Sequence, residues 1–251
     1  MKPSFSRILP ISLLLGLLLS QASVLAQGAS KTASPKVNAP PSADLRYAIK
    51  ANQKGLSLDG TALVRWRNDS QRYSVATETH ASLLGKILEA KSEGAIERDG
   101  LAPATATEKR FRRGQTTTTF DRAARTIRFS ASDASYPIRG GEQDRNSAIW
   151  QLVSLARANQ LKAGSTVSFV VAGQKDADPW SFKVGRQQTI ATPLGKLKAQ
   201  PISKVVKNAG KDQKVEIWLA SAKEWYPVRL RFTEPNGDFI EQALEKISPA
   251  S

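Results

Sequence analysis

The sequence predicts a mainly β fold: a large antiparallel, meandering sheet, curved or formed into an open barrel, with one packed α-helix near residues 144–159. Three observations predict it. From Asp44 onward, short runs alternate apolar and polar residues, as half-buried strands do. The connections between most runs are short turn clusters, and a parallel pair would need a crossover of a dozen residues or more. One segment alone breaks the period of two and repeats its apolar residues at helical spacing.

Before the folded part comes a leader. Lys2 and Arg7 precede an apolar run of 13 residues, Ile8 to Ser20, and the small-residue site Val24-Leu25-Ala26 follows. This is the order of a secretory signal peptide over residues 1–26, with cleavage near Ala26 and a periplasmic or secreted product. The run falls short of the roughly 20 residues that cross a bilayer as a helix, so no transmembrane segment is expected in the mature chain. Residues 27–43, "QGASKTASPKVNAPPSA", carry Pro35, Pro40 and Pro41 among Ala, Ser and Lys, and read as a flexible linker. A single β-rich domain is expected over 44–248. The chain has no cysteine, so its stability must come from a buried core.

The strands follow in order. "LRYAIKAN" and "TALVRWRND" flank the Gly55–Gly60 region, "QRYSVATETH" follows the Asn68-Asp69-Ser70 turn, and "KILEAKSEGAIERDGLAP" carries the turn signal Asp99-Gly100. "ATATEKRFR", "TTTTFD" and "RTIRFSA" are three short runs with two tight connections. In "DRNSAIWQLVSLARANQ", Ile149, Leu152, Val153 and Ala156 form a stripe that a helix would bury against a sheet face. Asp144 is placed to cap its start, and Gly164 lies just past its end. Further strands follow in "TVSFVVAG", "WSFKVGR", "QTIATPLGKLKAQPISKV", "QKVEIWLASA", "WYPVRLRFTE" and "DFIEQALEKI".

Strand parity sorts the faces. It turns Phe111, Phe120, Ile127 and Phe129 inward, and Arg110, Arg112, Thr117, Thr119 and Arg128 outward. Val64 and Trp66 alternate with Arg65 and Arg67, and Val228, Leu230 and Phe232 alternate with Arg229 and Arg231. Arg65, Arg67, Arg110, Arg112, Arg229 and Arg231 therefore form a candidate anion-binding face; the alternative is a solvated strand face whose long stems cover apolar surface. Thr116 to Thr119 follow β-branched strand preference and carry no chemistry.

Catalytic and metal signatures are weak. His80 is the only histidine, too little for zinc or a nucleophile relay without cysteine. "RGGEQD" at 139–144 lacks the lysine and glycine spacing of a phosphate loop and reads as a turn and cap. Glu93, Glu97, Asp144 and Glu216 are carboxylates that a sheet could gather for glycan hydrolysis, but no motif joins them. No enzyme activity, cofactor or metal is expected. The formal charge of +15 loses only Lys2 and Arg7 with the leader, so anionic partners are favoured. Basic residues interleaved with aromatics also suit nucleic acid, yet an exported chain meets envelope anions instead.

Several motifs occur in a fixed order: "EGAIERDGLAPATATEKR", Phe120-Asp121, "EQDRNSAIWQL", "TPLGKLKA" and "IWLA…WYPVRLRF…NGDFIEQAL". This set resembles the bacterial exported proteins grouped as domain of unknown function 3108, over about Leu45 to Ile247. The resemblance implies a secreted or periplasmic β-rich protein and no assigned activity. Its markers read as structural devices: Asp99-Gly100 and Asn236-Gly237 as turns, Asp144 as a cap, Pro227 as an edge or bulge residue. By analogy of fold, a sheet wrapped round a helix is similar to lipoprotein carriers, whose concave face holds acyl chains.

The expected function is a periplasmic, noncatalytic binding protein for an apolar or acyl ligand or envelope lipid, with Trp66, Trp150, Phe169, Trp180, Trp218 and Trp225 as candidate lining. The tryptophans also suit ordinary core. The alternatives are an electrostatic binder of lipopolysaccharide, phospholipid or cell-wall polymer through the arginine face, and a hydrolase of envelope glycans.

Overall fold

The structure is a computed structural model that describes residues 37–250. The expected signal peptide and residues 27–36 of the linker lie outside the described residues. Five long strands form a meander: β1 (Ala43–Gln53), β2 (Leu56–Asn68), β3 (Arg72–Ala81), β4 (Gly85–Glu97) and β5 (Gly100–Arg110). Shorter strands β6 (Thr116–Asp121), β7 (Thr126–Phe129) and β8 (Ser132–Pro137) extend it. The chain then crosses through β9 (Gln143–Asp144) and helix α1 (Arg145–Arg157). It returns as β10 (Thr166–Ala172), β11 (Ala177–Val184), β12 (Gln188–Thr192), β13 (Gly195–Lys204), β14 (Lys214–Leu219), β15 (Pro227–Thr233) and β16 (Phe239–Pro249).

All sixteen strands join one sheet, ordered β8-β7-β6-β5-β4-β3-β2-β1-β16-β15-β14-β13-β11-β10-β9, with β12 paired to β13 off this path. The first and last long strands, β1 and β16, pair antiparallel in the middle. Every described pairing is antiparallel except β9 with β10, where the chain crosses over by way of the helix. The two ends of this curved sheet meet through side chains. Phe120, Ile127, Phe129 and Ile138 pack with Ala172 and Ala177, and Thr118 Oγ1 donates to the Gly173 carbonyl at 2.8 Å. The fold is an open barrel with a packed seam.

The helix lies inside this barrel. Sequence periodicity predicts one apolar stripe, and Leu152, Val153 and Ala156 are buried as expected, but so are Trp150, Gln151, Ser154 and Leu155 on the other sides. A helix encased by a sheet has no solvent face, so its polar residues must find partners. Ser154 Oγ donates to the Trp150 carbonyl. Gln151 Oε1 accepts from the Leu101 amide at 2.8 Å, and Gln143 Nε2 donates to the Leu101 carbonyl at 2.7 Å. Leu101 lies on the stretch of β5 that β6 does not reach, and the two glutamines satisfy the backbone groups a neighbouring strand would have taken.

Asp144 caps the helix as its sequence position predicts, accepting from the amides of Asn146 and Ser147, while Ser147 Oγ reciprocates to the Asp144 amide. The helix ends at Ala158, and the left-handed residue there is Asn159, with φ +58°, rather than Gly164 five residues on. Pro227 opens β15 opposite a bulge between Trp218 and Leu219, as its lack of an amide donor requires.

The last part of the segment expected to be a flexible linker packs on the barrel. Residues 37–42 are docked: the Pro40 carbonyl accepts from Trp66 Nε1 at 2.9 Å and from Asn68 Nδ2 at 2.7 Å, and the Pro41 carbonyl accepts from the Tyr226 hydroxyl at 2.6 Å. Ala43, expected at the end of the linker, is buried in β1. Prolines lack an amide but keep a strong acceptor and a fixed extended φ, and composition does not show that three distant donors await them.

Gly100 is where the β4–β5 hairpin needs glycine. Its φ is +138°, and a Cβ there would lie 2.3 Å from the Gln151 amide nitrogen. Gly100→Ala should therefore strain the turn and displace Gln151 from Leu101, at a cost of roughly 1–3 kcal/mol. Urea unfolding measures it, and a loss below about 0.5 kcal/mol, the scatter of ordinary surface changes, would contradict this reading.

Candidate functional site

The lengths of the elements create a hollow. A strand of 13 residues such as β2 spans ~43 Å, whereas the 13-residue helix spans ~20 Å. Helix α1 fills the end of the barrel that holds Trp66, Tyr73 and Leu101. There the Trp150 ring stacks on Trp66 with centroids 4.2 Å apart and planes at 4°, and Trp66 in turn stacks on Tyr73 at 5.7 Å. Toward the other end the inner faces have nothing to pack against, and a cavity of about 600 Å³ remains.

Its walls come from alternate residues of both halves of the sheet. Tyr47, Ile49 and Ala51 of β1, Val64 of β2, Thr77 and Thr79 of β3 and Leu88 and Ala90 of β4 form one side. Leu230 and Phe232 of β15 and Ile240 of β16 form the other, and Ile149 and Trp150 of the helix form the floor. The mouth lies among the strand ends, at Gln53, His80, Arg110, Phe111, Arg113, Gln174, Gln213 and Glu234. An apolar chamber of this volume with polar groups at its rim has the proportions of a small-molecule site.

Asp144 borders the floor and is 3% exposed. Its Oδ2 accepts from Ser92 Oγ at 2.5 Å, and Ser92 Oγ lies 2.9 Å from the Tyr73 hydroxyl. Burial pushes the Asp144 carboxyl above the ordinary carboxylate range, opposed by the hydrogen bonds from Ser92, Ser147 and Asn146. This carboxylate is wholly engaged in holding the helix to β4.

The structure redistributes the residues singled out by sequence. Of the six candidate lining residues only Trp150 borders the large cavity. Trp66 is fully buried beneath the helix. Phe169 and Trp180 pack around Phe182 on the far wall, where Trp180 borders a separate void of about 50 Å³. Trp218 stands on the outer face of β14 with Arg229 over its ring, and Trp225 lies in the turn before β15 at φ +61°. The lining is instead mostly aliphatic.

The arginines do not form one face. Arg65 on β2 stands opposite Asp44 of β1, while Arg229 and Arg231 on β15 stand opposite Ala243 and Glu241 of β16. Arg67 pairs with Asp44 at 2.7 Å, and Arg231 and Arg229 share Glu241 at 3.0 and 3.8 Å. Parity fails at "KRFRR" because β5 stops at Arg110 and a turn begins. Arg110 faces the cavity mouth and pairs with Glu108, Phe111 is 39% exposed rather than inward, and Arg112 takes φ +55° with its guanidinium 4.9 Å from the Phe111 ring. Phe120, Ile127 and Phe129 are buried, as parity predicts.

The candidate carboxylates are not brought together: Asp144 is inside, whereas Glu93 pairs with Lys91 and Glu216 with Lys214 on outward-facing positions of β4 and β14. In "RGGEQD" the Glu142 carboxylate accepts from the Arg139 and Gly140 amides, so the chain's own anion occupies that loop. Among the described residues no three His, Asp or Glu side chains gather to hold a metal ion.

Residues 46–244 match the family model described as protein of unknown function DUF3108. The chain belongs to the DUF3108 family. No curated protein matches this DUF3108 chain. Among solved structures it is similar to a β-barrel-like protein of domain of unknown function DUF1849 from Brucella abortus, with 10% identity over 84% of this chain and 98% of that one and a TM-score of 0.56. A DUF1329 family protein from Desulfovibrio piger aligns at 7% identity over 84% of this chain and 86% of that one, with a TM-score of 0.33. The Brucella likeness is one of fold and agrees with the open barrel seen here. No helix among the described residues is long and apolar enough to cross a membrane.

Proposed function

We propose that this DUF3108 protein is an exported, noncatalytic binding protein of the bacterial envelope that holds an apolar or acyl chain in the barrel cavity. The observation that carries the reading is the cavity itself: about 600 Å³, walled by aliphatic side chains, floored by Trp150 and opening at one end of the barrel. An acyl chain entering such a space leaves water at a gain of about 0.8 kcal/mol per methylene. The polar mouth leaves a headgroup in contact with solvent. The leader read from residues 1–26 supports the envelope setting.

Titration with 11-(dansylamino)undecanoic acid is expected to show saturable binding with a blue-shifted emission. Ala90 and Ala106 line the cavity on adjacent strands. Ala90→Trp with Ala106→Trp should fill the hollow and weaken binding more than tenfold, with the unfolding midpoint little changed. Across fatty acids that compete for the probe, each four-carbon shortening should weaken binding roughly two-hundredfold. Absent binding, or binding indifferent to the filled cavity, would sink the reading. Native mass spectrometry of protein from its host's periplasm would then identify the natural occupant.

A further inference from the structure

We propose that the open end of the barrel docks on an anionic bilayer, with the hairpin tips around the cavity mouth inserted among the lipids. The inference rests on the acyl-binding reading for its purpose, since a docked mouth lets a chain pass between bilayer and cavity without crossing water.

The distribution of exposed apolar side chains carries it. The large hydrophobic residues exposed among the described residues are Leu56, Leu83, Leu84, Phe111 and Val205. Leu56 lies at the β1–β2 tip, Leu83 and Leu84 at the β3–β4 tip, Phe111 at the β5–β6 tip and Val205 at the start of the β13–β14 connection. Strand register places all four connections at one end, the end where the cavity opens. At the opposite end, the connections after β2, β4, β6 and β14 carry none of these exposed large hydrophobics, and Trp225 in the last of them is half-buried. Chance would scatter isolated apolar residues over both ends.

The leucine tip is a built feature rather than a loose one. Leu84 donates its amide to the Ala81 carbonyl, Ser82 donates to Asp59, and Gly85 takes φ +69° to close the turn. With its backbone satisfied, the turn holds Leu83 at 87% exposure, where burial against the protein would have been the ordinary fate of a leucine.

Charge selects the occupant. Lys109, Arg110, Arg112 and Arg113 surround Phe111, and among them Arg110 alone has an acidic partner, Glu108, among the described residues. A basic cluster around the Phe111 finger, beside the apolar fingers of the neighbouring tips, matches an interface of acyl chains beneath anionic headgroups, where both terms add. The fingers stand on separate hairpins around an open mouth, so they form no continuous patch for a flat protein partner; a fluid bilayer can close round each one.

Flotation of the mature protein with vesicles of phosphatidylethanolamine and phosphatidylglycerol tests this. Wild type should float with them at low salt, bind phosphatidylcholine vesicles at least tenfold more weakly, and lose binding as salt rises. Leu83→Asp with Leu84→Asp should lower the partition coefficient at least tenfold, and Arg112→Glu with Arg113→Glu should do likewise. Arg65→Glu on the distant outer sheet should change it less than threefold. Leu84→Trp should shift its emission to the blue on vesicles and be quenched by brominated acyl chains.

Failure of wild type to float, or flotation unmoved by the tip variants, would overturn the docking rim. Loss on Arg65→Glu of the same size as on the tip variants would overturn it in favour of a sheet-face binder. Dansylundecanoate binding by the Leu83→Asp with Leu84→Asp variant, whose residues do not line the cavity, should stay within twofold of wild type. The filled-cavity variant should still float. Vesicle binding without acyl binding would therefore count against the cavity reading alone, and acyl binding without vesicle binding against the rim alone.

Discussion

Trp150→Ala is expected to lower the unfolding free energy by roughly 3–5 kcal/mol, the range for truncating a buried aromatic that cannot be replaced by collapse. Trp150 is 3% exposed, stacks on Trp66 at 4.2 Å and meets Tyr226 edge-on at 6.1 Å. In a filled core the neighbours would move in and recover part of the loss. Here the residue forms the partition between packed half and hollow half, so removing it joins the new void to a cavity of about 600 Å³. The stack also reaches the chain before β1, because Trp66 Nε1 donates to the Pro40 carbonyl. Urea denaturation gives the magnitude, and near-ultraviolet circular dichroism should lose the stacked-indole signal. A loss below about 1 kcal/mol would mean that the strands hold the barrel without the partition.

Much of this architecture is legible in the sequence because it depends on local period. Alternation marks the strands, short turns make them sequential neighbours, and Asp144 marks the helix start. The arginine pattern was misleading for a reason that is not local: Glu241, which Arg229 and Arg231 share, lies on β16, and only register brings it opposite them. The cavity lining is not legible in the alternation, which reports which residues point inward and not whether the inside is full. A usable signal existed in the lengths, since one helix of about four turns is too short to fill a barrel of ten- to thirteen-residue strands. Parity excludes Trp218 from the lining: Val215, Ile217 and Leu219 face inward, so Trp218 faces out. "ASLLGK" likewise held a readable oddity, two leucines in a turn just before a glycine. Arg110 and Phe111 could not be placed by parity once the strand ended between them.

Asp144→Ala is expected to cost about 2–4 kcal/mol, because it removes a helix cap worth ~1–2 kcal/mol and leaves Ser92 buried without its acceptor. The loss falls on the contact that pins the helix to β4 and so positions the cavity floor. Asp144→Asn keeps a side-chain oxygen for the Asn146 and Ser147 amides and should cost less than half as much at pH 7. The two variants separate capping from charge, and pH supplies a second axis. Burial raises the folded carboxyl above its ordinary value of 3.8. Between the unfolded and the folded value the native chain holds a proton that the unfolded chain has lost, so this group's contribution to stability is largest below that window and falls as pH rises through it. Asparagine does not titrate. The stability of wild type relative to Asp144→Asn should therefore increase as pH is lowered from 7 toward 4, whatever the other carboxylates contribute to both proteins. A difference that is flat, or that shrinks on acidification, would show that the hydrogen bonds from Ser92, Ser147 and Asn146 outweigh burial, and that the helix is tethered by a carboxylate fully stabilised in its charged form.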